Sequence, residues 1–311
     1  LPDLIRPSIA ATDDSSTRET NSAKPGRRDA KTTLVVIVVV TLVLGGVYLA
    51  SGRHTDAAAS AVSTTAGWTA TEAPLPSGLD HIHDLVRNPR TGQTLAGTHN
   101  GLYEVTTTGA ATLIGTSRDD LTGLAVDANG TLWASGHAAG STSDAGVLGL
   151  IRSADGGVTW SVVSRQGQSD FHALTVRGST IVGAADDTVL RSTDDGTTWT
   201  SGARSTVGSL TLDSSALWVT TPTGLQRSTD DGATMAPVAD APTLVLGALA
   251  PDKTVWGVTG NGSVTRWLGP DRWDTVAMLN PGEQIQAILG LSRGEVLIAT
   301  STRSIRVSST P

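Results

Sequence analysis

The sequence predicts an all-β fold, a six-bladed β-propeller, on three observations. First, a nine-residue phrase recurs. Arg152 to Trp160 reads RSADGGVTW, Arg191 to Trp199 reads RSTDDGTTW, and Arg227 to Met235 reads RSTDDGATM. Its serines fall at 153, 192 and 228, a period of about 40 residues, the length of one four-stranded blade. Second, short apolar strands recur in phase with it, anchored by Leu85, Leu124, Leu174, Leu210, Leu249 and Leu289. The steps between these leucines are 39, 50, 36, 39 and 40 residues, which counts six blades. Third, Ile305-Arg306-Val307-Ser308 starts like another copy of the phrase, and only three residues follow it. A stray strand ahead of blade one, Gly67-Trp68-Thr69-Ala70, is placed to supply the missing outer strand and close the ring.

The elements before the ring are of another kind. Residues 1–31 are polar, charged and poor in aromatics, which predicts a disordered tail. Thr32 to Ala50 is uncharged and rich in Val and Leu. At ~1.5 Å per residue it approaches the ~30 Å hydrocarbon core, so a single transmembrane helix is expected there. Lys24, Arg27, Arg28 and Lys31 precede this run, and only Arg53 and His54 follow at once. The positive-inside rule then puts the tail in the cytoplasm and the propeller outside the cell. A cleaved signal peptide is the competing reading. Ala59-Ser60-Ala61 resembles a cleavage site, but it lies far from an apolar run longer than a usual signal core. Residues 51–66 read as a linker and residues 67–311 as the propeller.

Within the ring the repeated phrase matches the Asp-box, or BNR repeat, pattern S-x-D-x-G-x-T-W. In a hairpin the Asp accepts backbone N–H bonds, the Gly takes positive φ, and the Trp packs across the turn. Such phrases brace a fold and do no chemistry. Second strands carry Trp133, Trp218 and Trp256 at matching places, where they are expected to pack between blades. The long step is an insertion in blade two, the Gly/Ser/Ala-rich stretch from Ala138 to Val147. Blade five keeps aromatics at Trp267 and Trp273 but has lost the phrase.

Composition removes several function classes. No cysteine is present, so disulfides and thiolate metal sites are excluded. Residues 53–311 keep 16 basic against 24 acidic side chains, a net of −8, which makes a nucleic-acid partner a poor fit. No nucleophile elbow, phosphate loop or dinucleotide fingerprint occurs. A sialidase mechanism needs a Tyr nucleophile and an arginine triad, yet the tyrosines are Tyr48, in the apolar run, and Tyr103.

The chemistry-bearing residues gather by strand arithmetic. His81, His83 and His172 sit at the starts of first strands, and His99 and His137 at the ends of second strands. First and second strands are antiparallel, so these five histidines should meet on one face, at the channel mouth over blades one to three. The repeated phrases should fall on the opposite face. Asp80, Asp84, Asp119, Asp120 and Asp170 flank the same strand starts. Imidazoles with carboxylates can hold a divalent transition metal such as Zn or Cu(II), or do acid–base work. Two-carboxylate glycoside hydrolysis would draw on Asp80, Asp119, Asp120 and Asp170.

The ordered set His81-Ile82-His83-Asp84-Leu85, Gly97-Thr98-His99-Asn100-Gly101-Leu102-Tyr103, Ala134-Ser135-Gly136-His137 and Asp170-Phe171-His172-Ala173-Leu174, followed by Asp boxes, resembles a group of bacterial, often actinobacterial, exported BNR-repeat proteins. These are known as glycosyl hydrolase-like or exo-alpha-sialidase-like. The resemblance covers about residues 79–311. It implies an exported propeller and carries over no catalytic residue. Asp84 and Asn100 depart from the group's HIHGL and THHGL. The expectation is a membrane-anchored, monomeric extracellular propeller whose His/Asp mouth binds a metal ion or a glycan. The alternatives are a glycoside hydrolase and a propeller that docks another exported protein.

Overall fold

The computed structural model describes residues 62–79, 81–141, 146–269 and 272–311. The tail, the apolar run, His54, Asp80 and most of the proposed linker lie outside these residues. Among the described residues no helix is long and apolar enough to cross a membrane.

The described residues form six antiparallel sheets in chain order, the blades of a propeller. Blade one holds Ile82–Arg87, Thr94–Thr98, Gly101–Val105 and Ala111–Leu113, from the inner strand to the outer. Blade two holds Asp120–Val126, Leu132–His137, Leu150–Ser153 and Ser161–Ser164. Blades three and four begin with Ala173–Arg177 and Ser209–Leu212, and blades five and six with Leu244–Leu249 and Ile285–Ser292.

The ring closes as the stray strand suggests. Trp68–Pro74 pairs antiparallel with the last strand, Arg303–Ser309, with Trp68 opposite Ser309. Trp68 also meets Trp256 of blade five edge to face at 5.9 Å, and the Arg266 guanidinium lies 4.6 Å from its ring centre. Arg303 clamps the closure by pairing with Glu72 from the early strand and with Glu283, at 2.7 Å. One strand falls where a linker was expected. Ser63–Thr64 pairs with Met278 and Ala277, adding a fifth strand to blade five, so ordered structure begins ahead of residue 67.

The apolar core is divided among the seams between blades. Val86, Leu95 and Leu102 of blade one pack with Leu121, Leu124 and Leu132 of blade two. The seam from blade six back to blade one is built the same way, from Ala287, Leu297 and Ala299 against Ile82, Leu85 and Ala96. Trp133, Trp218 and Trp256 are each at most 4% exposed and belong to these seams, as their placement suggested.

The repeated phrases turn the outer hairpins. In each, a buried Ser (153, 192 or 228) donates to Asp Oδ1 two residues on and accepts the N–H of Gly157, Gly196 or Gly232. The same Asp accepts from the backbone and hydroxyl of Thr159, Thr198 or Thr234. These threonine and serine bonds hold all three carboxyls down to about 2. The glycines sit at φ of 95°, 79° and 90°. A Cβ at Gly157 or Gly196 would stand 2.1 Å from Leu102 or Leu150 of the preceding blade, so glycine serves both the turn and the seam.

Candidate metal centre at the channel mouth

Each first strand runs from one face of the ring to the other, and the loops joining second to third strands return to the starting face. The histidines lie on that face, and the repeated phrases lie on the other. A β-bulge shapes the mouth. In blade one the ladder steps from Ile82↔Thr98 to Asp84↔Gly97 and leaves His83 unpaired; in blade two it leaves Thr122, and in blade six Gln286. Bulges re-aim side chains, and here they turn these three residues toward the mouth. Close backbone approach does the rest. A Cβ at Gly136 would stand 1.8 Å from the Asp120 carbonyl, which is why glycine precedes His137 where it lies opposite Asp120.

Blades one and two bring four predicted residues together. The rings of His81, His83 and His99 stand with centres 4.8, 5.2 and 4.5 Å apart. His83 Nε2 lies 3.0 Å from Asp120 Oδ1. Both atoms are shielded from solvent, and beyond this contact neither has a partner among the described residues. One ligand atom each from His83, His99 and Asp120 lie within 4.8 Å of one another. Burial alone would raise the Asp120 carboxyl. The His83 contact and the charges of His83, His99 and His137 outweigh it and hold that carboxyl below its ordinary value.

His81 stands beside this trio in a different role. Gln286 Oε1 accepts the Ile82 N–H at 3.1 Å, which fixes the amide's orientation. Its Nε2 then donates to His81 Nδ1 at 3.0 Å. Sequence reasoning missed Gln286. Its signal was the likeness of Ile285-Gln286-Ala287-Ile288 to Ile82-His83-Asp84-Leu85, the same bulge in the adjoining blade.

The other predicted residues form a neighbouring group over blades two and three. Asp170 Oδ2 lies 3.4 Å from His137 Nδ1 and 3.3 Å from His172 Nε2, while Oδ1 accepts from Thr122 at 2.6 Å. Asp119 ties its own loop to the blade-two insertion, accepting from Ser117 Oγ and from the Ala139 N–H. Asp84 lines the channel just inside His83 and takes the N–H groups of Leu85 and Leu124. Burial pushes its carboxyl up to about 7, the two N–H bonds opposing only in part. Below the mouth the channel encloses about 520 Å³.

No protein-family model matches the chain, and no curated protein does. Solved structures do. The chain is similar to a gluconolactonase from Xanthomonas campestris, with a TM-score of 0.62 and 12% identity over 85% of this chain and 99% of that one. It is also similar to virginiamycin B lyase from Staphylococcus aureus, at 0.54 and 14% over 78% of this chain and 100% of that one. A third is YCF48 bound to D1 peptide, at 0.51 and 13% over 79% and 98%. At such identities the likeness is one of fold. The chain has the fold of a six-bladed propeller. That fold serves lyases, lactonases and docking proteins alike, so function must be argued from the site.

Proposed function

We propose that this protein is a membrane-tethered extracellular propeller that binds a divalent transition metal, Zn or Cu(II), through His83, His99 and Asp120. The observation that carries this reading is the pair His83 Nε2 and Asp120 Oδ1. They stand 3.0 Å apart, shielded from solvent, and neither has another partner among the described residues. Two buried lone-pair atoms at that distance need a positive charge to share. A metal ion off the line joining them would serve, held by bonds of ~2.0–2.1 Å. Two ligand atoms on one ion are at most about 4.2 Å apart, so the exposed His99 ring closes inward by a fraction of an ångström on binding. Two imidazoles and a carboxylate suit Zn, Cu(II) or Ni, and three protein ligands leave a position open to an outside ligand. The tether rests on the apolar run from Thr32 to Ala50 and its basic flank.

Binding is preferred to glycoside hydrolysis because the candidate carboxylates among the described residues already have partners. Asp119 braces a loop, Asp170 is held by Thr122 against two histidines, and Asp120 faces His83. Metal analysis of the purified protein, followed by titration calorimetry with Zn and Cu(II), tests the proposal. Saturable binding lost in His83→Ala and His99→Ala supports it. Its absence would leave docking of another exported protein as the reading of this face.

A further inference from the structure

The opposite face carries a second candidate site, in the seam between blades two and three. Protein groups bridge other seams there. Arg177 donates to the Asp213 carbonyl and pairs with Asp231 at 3.0 Å. Lys253 Nζ donates to Ser214 at 2.9 Å, and Asn88 Nδ2 reaches the Gly130 carbonyl at 3.4 Å. Between blades two and three lies instead a cleft of about 280 Å³, walled by Asp127, Asn129, Trp133, Arg152, Gly178 and Asp195.

Several of its polar groups lack a partner among the described residues. Trp133 is 4% exposed and its Nε1–H is buried without an acceptor. The equivalent indole in blade four donates to Asp213 Oδ2 at 3.1 Å, and that in blade five to the Ser292 carbonyl at 2.8 Å. The difference arises in the turn. The blade-four turn closes from Asp213 to Ala216, whereas the blade-two turn closes from Asp127 to Thr131, one residue longer. There Asp127 spends Oδ1 on the N–H groups of Asn129 and Thr131, and Oδ2 has no hydrogen-bond partner among the described residues. The Arg152 guanidinium rests 5.4 Å from the Trp133 ring centre and makes no hydrogen bond or ion pair among the described residues. Neither does the Asp195 carboxylate.

We propose that this cleft binds a small neutral polyhydroxyl ligand, a monosaccharide unit. The cleft offers donors, Trp133 and Arg152, beside acceptors, Asp127 and Asp195. Two carboxylates against one guanidinium disfavour an anion, and the guanidinium disfavours a cation. A hydroxyl both accepts and donates, so adjacent hydroxyls satisfy the two kinds of group at once. The volume, just below the ~300–1,000 Å³ range of ligand sites, suits a single ring at most. Arg152 is the movable group. Exposed to solvent, it can swing off the indole to a ligand hydroxyl.

Titration of the ¹⁵N-labelled protein with methyl α-glucoside, N-acetylglucosamine and myo-inositol tests this through the indole N–H resonances, that of Trp133 assigned by Trp133→Phe. The expected result is a saturable shift of the Trp133 resonance with at least one of these, the other indoles holding still. Asp195→Ala and Arg152→Ala should each weaken it about tenfold, the effect of one charged hydrogen bond, with the melting temperature retained. His99→Ala should leave it unchanged, which separates this site from the metal centre. No saturable shift with any of the three, or a shift indifferent to Asp195→Ala and Arg152→Ala, would overturn the proposal. So would a crystal structure in which water fills the cleft at high sugar concentration.

Discussion

Ser192 does more for its hairpin than the exposed Asp194 that names the repeat. Its hydroxyl donates to Asp194 Oδ1 at 2.7 Å and accepts the buried Gly196 N–H at 2.9 Å. Ser192→Ala should therefore strand a buried donor and cost about 1–3 kcal/mol in urea unfolding, with metal binding on the far face unaffected. An unchanged unfolding midpoint would deny the Ser its place at the centre of the turn. The histidines divide in the same way. His83 and His99 should be required for metal, whereas His81→Ala, which removes a ring bonded by Gln286, should keep most of the affinity. Equal losses at all three positions in calorimetry would mean that His81 is a ligand. The sequence told which histidines share a face, because strand polarity alone decides that. It could not tell which of them converge, because a one-residue bulge at His83 and a glutamine two hundred residues away decide it.

Among the elements, the three hairpins and the closing strand carry separable predictions. Asp155, Asp194 and Asp230 are each held down to about 2 in the folded chain, against ~3.9 when unfolded. Between these values the unfolded chain binds more protons, so stability present above pH ~4 is lost as pH falls toward about 2. Replacing all three by Asn should flatten that acid limb, as followed by circular dichroism; an unaltered limb would place the acid sensitivity elsewhere. At the closure, Arg303 is 13% exposed between Glu72 and Glu283, the latter 9% exposed. Arg303→Met leaves Glu283 without its counter-charge and should cost about 3 kcal/mol or more in thermal or urea unfolding. A variant as stable as the parent would show that strand pairing alone seals the ring. The pairing of Trp68–Pro74 with the last strand was legible, since an unfinished blade and a surplus strand point to each other. The added strand Ser63–Thr64 was not, because two polar residues carry no period-two pattern to betray them.

For the whole molecule, the blade count followed from leucine spacing, and the seams bear it out by burying one apolar set per junction. Function was less legible, because a propeller offers two faces and a channel to any ligand and the repeats mark only the bracing face. On the reading proposed above, His83, His99 and Asp120 hold a metal ion. Titration calorimetry of the purified protein with Zn and Cu(II), at about pH 7.5 and again at about pH 5.5, tests it most directly, since imidazoles must be neutral to ligate. Saturable one-to-one binding at micromolar metal is expected, weaker at the lower pH and abolished by joining His83→Ala to Asp120→Ala. Heats that never saturate, or a site that survives that double replacement, would contradict it.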